Sequence, residues 1–136
     1  MPKDKIEFKE IPITTEYSRP LYRIFYVIDN GKSIVIEKIV SLPQKDKALI
    51  KDLIRKMATI EDFKSNKIRF NLKGYNFGEI KPFPHRFFFF QKCGKNYIFF
   101  DYKLKKTDKF NDKIYKEIDK RKKKYEEEFK RYFQRI

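Results

Sequence analysis

With one cysteine, one histidine and no tryptophan among its 136 residues, the chain lacks the raw material of several protein classes. Cys93 alone cannot form an internal disulfide or a CxxC-type zinc or redox motif, so a reducing compartment is its natural home. His85, with no second histidine and no cysteine cluster, is a poor beginning for a metal site and reads more simply as a strand-end histidine. No Gly-rich phosphate loop, GxSxG elbow or HExxH helix occurs. The longest wholly apolar run, Phe87 to Phe90, is far short of the ~20 residues that cross a bilayer. The first residues, Met1-Pro2-Lys3-Asp4-Lys5, lead into mixed charge instead of an apolar stretch. A soluble, cytosolic protein with no membrane partner is expected.

Acid is the other scarcity, and it is local. The formal net charge is +15, from 34 Lys and Arg against 19 Asp and Glu. Basic and acidic residues number twelve and ten over 1–63, eight and one over 64–95, and fourteen and eight over 96–136. In the middle segment Glu79 is the sole carboxylate among Lys64, Lys67, Arg69, Lys73, Lys81, Arg86, Lys92 and Lys95. A surface of one sign attracts polyanions by releasing their counterions and raises encounter rates with nucleic acid; the plainer reading is a solubilising excess of charge. Metal-dependent nucleases need paired carboxylates, which this segment lacks, so a nuclease built here is expected to work without metal or cofactor. The 40% hydrophobic and 18% aromatic content sets the chain apart from a disordered basic tail, and its length suits one core.

Residues 1–20, with Pro2, Pro12 and Pro20, read as an extended arm or short edge strand ahead of one domain over 21–136. Leu21 to Asp29 is β-branched and aromatic and ends at Asn30-Gly31, a dipeptide suited to positive φ, so a strand is predicted. Ser33 can cap a short helix that stops at Leu42-Pro43. Leu49, Ile50, Leu53, Ile54, Met57 and Ile60 recur at helical spacing between charges, which predicts an amphipathic helix. Ile68 to Leu72, Phe77 to Lys81, His85 to Gln91 and Tyr97 to Leu104 are strand-like, the last two joined as a hairpin at Cys93-Gly94. Phe87 to Phe90 is apolar on both faces, as a central covered strand should be. Ile114, Ile118, Tyr125, Phe129 and Phe133 trace a last helix, on which Lys120 to Lys124 read as a solvent face partly neutralised by i,i+4 glutamates. The sum is an α+β domain, a mainly antiparallel twisted sheet with two helices N-terminal to most of it and one C-terminal helix.

Among candidate site residues, Arg86 stands out. An arginine in an aromatic strand either meets a carboxylate or is presented to a phosphate, where its planar fork makes two hydrogen bonds. Strand alternation sends His85 to the opposite face, so the two cannot share a site unless a bulge intervenes. Lys73, Lys81, Lys103, Lys105 and Lys106 can ring a groove for RNA backbone. Tyr75, Phe77, Tyr97 and Tyr102 are interleaved with them, and aromatics beside cations stack unpaired bases, although most must serve the core.

The string Gly78-Glu79-Ile80-Lys81, then His85-Arg86-Phe87-Phe88-Phe89-Phe90, a hairpin, Tyr97-Ile98-Phe99-Phe100 and Lys105-Lys106-Thr107 before a basic helix resembles the RelE/HigB superfamily of type II toxins. The likeness is to its phage-related HigB-like branch and covers roughly 21–133. Tyr26 to Gly31, the helix ending at Leu42-Pro43 and Leu72-Lys73-Gly74 also have counterparts there. The resemblance implies a RelE-like fold and a toxin neutralised by an antitoxin, often a helix-turn-helix DNA-binding protein. It further implies a metal-independent endoribonuclease, an mRNA interferase acting on translated mRNA at the ribosome. Arg86 then matches the arginine at the scissile phosphate, and Lys81 a position where relatives carry arginine. Lys73 matches a basic position, and Lys105 or Lys106 the post-hairpin lysines. Lys81, Lys105 and His85 are the candidates for moving protons, with Tyr75, Tyr102 and Tyr125 unranked beside them. A non-cleaving protein of the same fold, either a gyrase-inhibiting toxin or an RNA-binding module, is the competing expectation, and a basic structural protein of a ribonucleoprotein or phage is a third.

Overall fold

The computed structural model describes residues 5–14, 19–72, 74–105 and 112–136. Lys73, Lys106 and Thr107 lie outside them. The described chain runs β1 (Ile6–Ile11), β2 (Arg23–Asp29), α1 (Ile34–Ser41), α2 (Gln44–Thr59), β3 (Ile68–Arg69), β4 (Gly78–Ile80), β5 (His85–Gln91), β6 (Asn96–Leu104) and α3 (Asp112–Arg135). Six strands form one mixed sheet in the order β1-β2-β6-β5-β4-β3. The β2/β6 pair is parallel and every other pairing is antiparallel. Of the extended arm or short edge strand anticipated over 1–20, Ile6–Ile11 is an edge strand of the sheet, paired with β2 from Ile6↔Asp29 to Ile11↔Ile24.

Alternation along β5 decides the layering. Phe87 and Phe89 face one core with Val35 of α1, Leu42 just after it, and Ile50, Leu53, Ile54 and Met57 of α2. Phe88 and Phe90 face a second core with Ile118, Tyr125 and Phe129 of α3. All four rings are at most 1% exposed, and at roughly 1.5–3 kcal/mol for each buried side chain they anchor the sheet between the two helical layers. The Ser33 hydroxyl accepts from the Ile36 amide at 3.2 Å and starts α1.

Two expectations are corrected. Pairing at Ile68 stops after Arg69 instead of reaching Leu72. Beyond it the chain turns back through Gly74, with φ +82°, and the Leu72 amide donates to the Phe77 carbonyl. The Lys120 to Lys124 stretch is not a uniform solvent face. Lys122 is 5% exposed and ion-paired to Glu126 at 2.9 Å. Arg121 meets the buried Asp101 at 2.8 Å.

Candidate functional site

Register between β5 and β6 determines which side chains can meet. Pairing runs Arg86↔Lys103, Phe87↔Tyr102 and Phe88↔Asp101, then shifts at Phe88/Phe89 so that Phe89 faces Phe99. Phe100 is the extra residue of a bulge, which puts both it and Asp101 on the α3 side. Strict alternation would have set Tyr102 beside Arg86; the bulge moves Tyr102 to the α1/α2 side and Lys103 opposite Arg86.

His85 and Tyr102 accordingly form their own cluster, away from Arg86. His85 Nδ1 lies 2.7 Å from the Tyr102 hydroxyl, and the Lys38 ammonium sits 5.2 Å from the Tyr102 ring centre. Burial, with Lys38 adding to it against Asp46, holds the imidazole below its ordinary pKa, so His85 is neutral near pH 7. It has no geometric access to chemistry on the α3 side.

On that other side the cations gather. Glu79, 2% exposed, has the Arg86 Nε at 3.8 Å and the Arg69 Nε at 4.0 Å from its two oxygens. Burial pushes its carboxyl above the ordinary range, opposed by Arg86, Arg69, Lys105 and Lys81 in that order. Lys81 is held below the usual lysine value by burial and by Arg69, Arg86 and Lys105, with Glu79 opposing. Tyr115 of α3 feels Glu79, Arg69 and Arg86, and its ring lies 5.7 Å from that of Tyr75. One carboxylate thus stands among four cations brought from β3, the end of β4, β5 and the residue after β6. Among the described residues, cavities of about 380, 480 and 520 Å³ open elsewhere and are lined by none of these residues; the cations, Arg69 exposed and Lys81, Arg86 and Lys105 half-buried, form a partly exposed shelf on the α3 side of the sheet.

No family model, curated protein or solved structure matches the chain.

Arg86 fits neither of its two sequence readings cleanly. Its side chain is only 11% exposed and its Nη1 donates to the His85 carbonyl at 3.0 Å. Yet among the described residues its Nε and Glu79 Oε2 are both buried without a hydrogen-bond partner. Buried polar atoms left unmet are costly, so this pair is held less tightly than a hydrogen-bonded ion pair. The outward member of the cluster is Arg69, 54% exposed. Sequence reasoning counted Arg69 as one basic residue among eight and missed both it and Tyr115. The available signal was Glu79, because a single acid in a basic segment is where cations converge. Of the predicted residues, Arg86, Lys81 and Lys105 come together and Lys103 lies across the strand pair from Arg86. Tyr75 borders the group through Tyr115, His85 and Tyr102 do not join it, and Lys73 and Lys106 lie outside the described residues. Among the described residues no three His, Cys, Asp or Glu side chains are grouped so as to hold a metal.

Proposed function

We propose that the chain is a RelE/HigB-like toxin that binds mRNA on the α3-side shelf and cleaves it without a metal or other cofactor, acting at the ribosome in the cytoplasm. The observation that carries this reading is the convergence of Arg69, Lys81, Arg86 and Lys105 on one buried carboxylate. Such a cluster holds a net positive field close to low-dielectric protein, where a phosphate gains most. The motif order from Gly78 to Lys105 supports the same family.

Cleavage by this route is an in-line displacement. The ribose 2′-oxygen forms a bond to phosphorus, the bond from phosphorus to the 5′-oxygen breaks, and the products are a 2′,3′-cyclic phosphate and a 5′-hydroxyl. One proton leaves the 2′-hydroxyl and one reaches the 5′-oxygen, so the step needs no other reactant. Arg69 and Arg86 oppose the charge that develops on the non-bridging oxygens. Lys81, whose depressed pKa enlarges its neutral fraction, takes the first proton, and cationic Lys105 supplies the second. An antitoxin, of the helix-turn-helix type common in that family, is the expected partner.

Two observations favour the non-cleaving relative as the second reading: Arg86 is nearly covered, and His85 lies across the sheet. Inducing the wild type, Arg86→Ala and Lys81→Ala in bacteria while following growth, translation and mRNA 5′ ends separates the readings. The expected result is growth arrest with new mRNA ends in the wild type, and loss of both in each variant. Arrest with intact mRNA and a DNA-damage response would transfer the protein to the gyrase-inhibiting class. Undiminished cutting by a folded Arg86→Ala would remove that side chain from the mechanism.

A further inference from the structure

Phe83 is the oddity of the aromatic inventory. It is 73% exposed, whereas every other described phenylalanine is buried or partly buried. A lone exposed apolar residue is ordinarily unremarked, but this one is mounted with care. It sits between Pro82 and Pro84, whose rings fix φ on either side. The backbone around it is tied at three points. The Lys81 amide donates to the Lys67 carbonyl at 2.7 Å, the His85 amide to the Pro82 carbonyl at 2.8 Å, and the Lys105 amide to the Pro84 carbonyl at 2.8 Å. The turn therefore presents a planar ring that contributes nothing to either core, on a backbone with little freedom left to lose.

Its neighbours define the chemistry. Lys81 is two residues before it, which limits their Cα separation to about 7 Å. Arg86 is three residues after it, and the Lys105 backbone is bonded to the adjoining proline. An exposed ring two residues along the chain from Lys81 and three from Arg86 matches the platform on which proteins hold single-stranded nucleic acid, with phosphates on the cations and an unstacked base on the ring. Bases in a duplex are already stacked and paired and cannot offer a face.

We infer that Phe83 is a base-stacking residue, and that the ligand of the shelf is single-stranded RNA with one unpaired base laid against its ring while neighbouring phosphates meet Arg69, Lys81 and Lys105. The inference rests on the nucleic-acid reading above and adds to it the class of strand and the side chain that grips a base. It requires no cleavage.

Because the chain has no tryptophan, Phe83→Trp installs a single fluorophore at the platform. Full-length wild type, Phe83→Trp, Phe83→Ala and Phe83→Leu are titrated with a short oligoadenylate, with an abasic ribose-phosphate oligomer of equal length, and with duplex RNA. The expected result is roughly tenfold weaker oligoadenylate binding by both Phe83→Ala and Phe83→Leu, from the loss of one stacked base. Their affinity for the abasic oligomer is unchanged, and Phe83→Trp retains wild-type affinity with its emission quenched by oligoadenylate alone. Wild-type affinity in Phe83→Leu would show that an apolar contact suffices and would overturn stacking. A preference of the wild type for duplex would overturn the strand class. Salt-dependent oligoadenylate binding that is equal in wild type and Phe83→Ala would sink the inference and leave the shelf intact. Failure of the wild type to bind any of the three would remove the nucleic-acid reading and the inference together.

Discussion

Glu79 sets the electrostatic character of the shelf. Its carboxyl is raised chiefly by burial, against the pull of Arg86, Arg69, Lys105 and Lys81, so folding favours its protonated form. The sign follows by linkage: what this group adds to stability is complete below the ordinary carboxylate value and is lost as pH rises through its elevated folded value. Glu79→Gln, neutral throughout, should therefore unfold at a higher urea concentration than the wild type at neutral pH, with the two curves converging at the acid end. On the nucleic-acid reading, the same charge opposes the cluster's hold on a phosphate. If RNA lies there, removing one negative charge should tighten its binding on the order of threefold at neutral pH, the size of a water-screened interaction of unit charges. The wild type should gain more affinity than Glu79→Gln as pH falls, since Lys81 titrates in both proteins and Glu79 in one alone. Titrations of both proteins across that range, beside the urea curves, measure the two effects. A variant that is both less stable and weaker in binding at neutral pH would make Glu79 an ion-pair anchor for the arginines. His85, on the far face, contributes equally to both proteins and drops out of the comparison.

Strand β4 is three residues long, and one of them has no room for a side chain. A Cβ on Gly78 would press on the carbonyl oxygens of Arg69 and Phe70 and on the Phe89 ring. Gly78→Ala should accordingly destabilise by about 1–3 kcal/mol in chemical denaturation, since two of the three obstacles are backbone. If RNA lies on the shelf, the variant should also bind it more weakly, because β4 leads into Lys81 and pairs with the strand that carries Arg69. An alanine variant as stable as the wild type would mean that β3 and β4 can part without cost. At this scale the sequence was readable where one signal dominated. Four consecutive phenylalanines behind a proline pair defined β5, Ser33 and Leu42-Pro43 bounded α1, and the spacing of Ile50, Leu53, Ile54 and Met57 built α2. It was opaque where pairing between strands decides. No local residue preference announces the bulge at Phe100, yet that bulge moves Tyr102 away from Arg86. The burial of Lys122 likewise depends on how α3 lies on the sheet. The alternation of His85 and Arg86 was legible, whereas the approach of Arg69 to Glu79 depends on the β3/β4 register.

Across the whole molecule, a charge of +15 would draw RNA to almost any face, so affinity alone cannot locate a site. Salt dependence can. Each phosphate neutralised on a single strand steepens the fall of log K against log salt by about 0.7. Exposed cations beyond the ~8 Å screening length of physiological salt add little. If the shelf is where RNA lies, the double variant Arg69→Ala/Lys81→Ala should lose about 1.4 from that slope. The double variant Lys45→Ala/Lys51→Ala removes the same charge from the exposed side of α2, across the sheet, and should leave the slope unchanged. Filter binding or fluorescence anisotropy over a series of salt concentrations gives both numbers. Equal losses in the two variants would mean that the charge acts as a diffuse field, and the cations converging on Glu79 would then be a consequence of the fold with no claim on RNA. The comparison holds net charge constant and varies only position, and position is what makes the 64–95 segment more than a basic stretch.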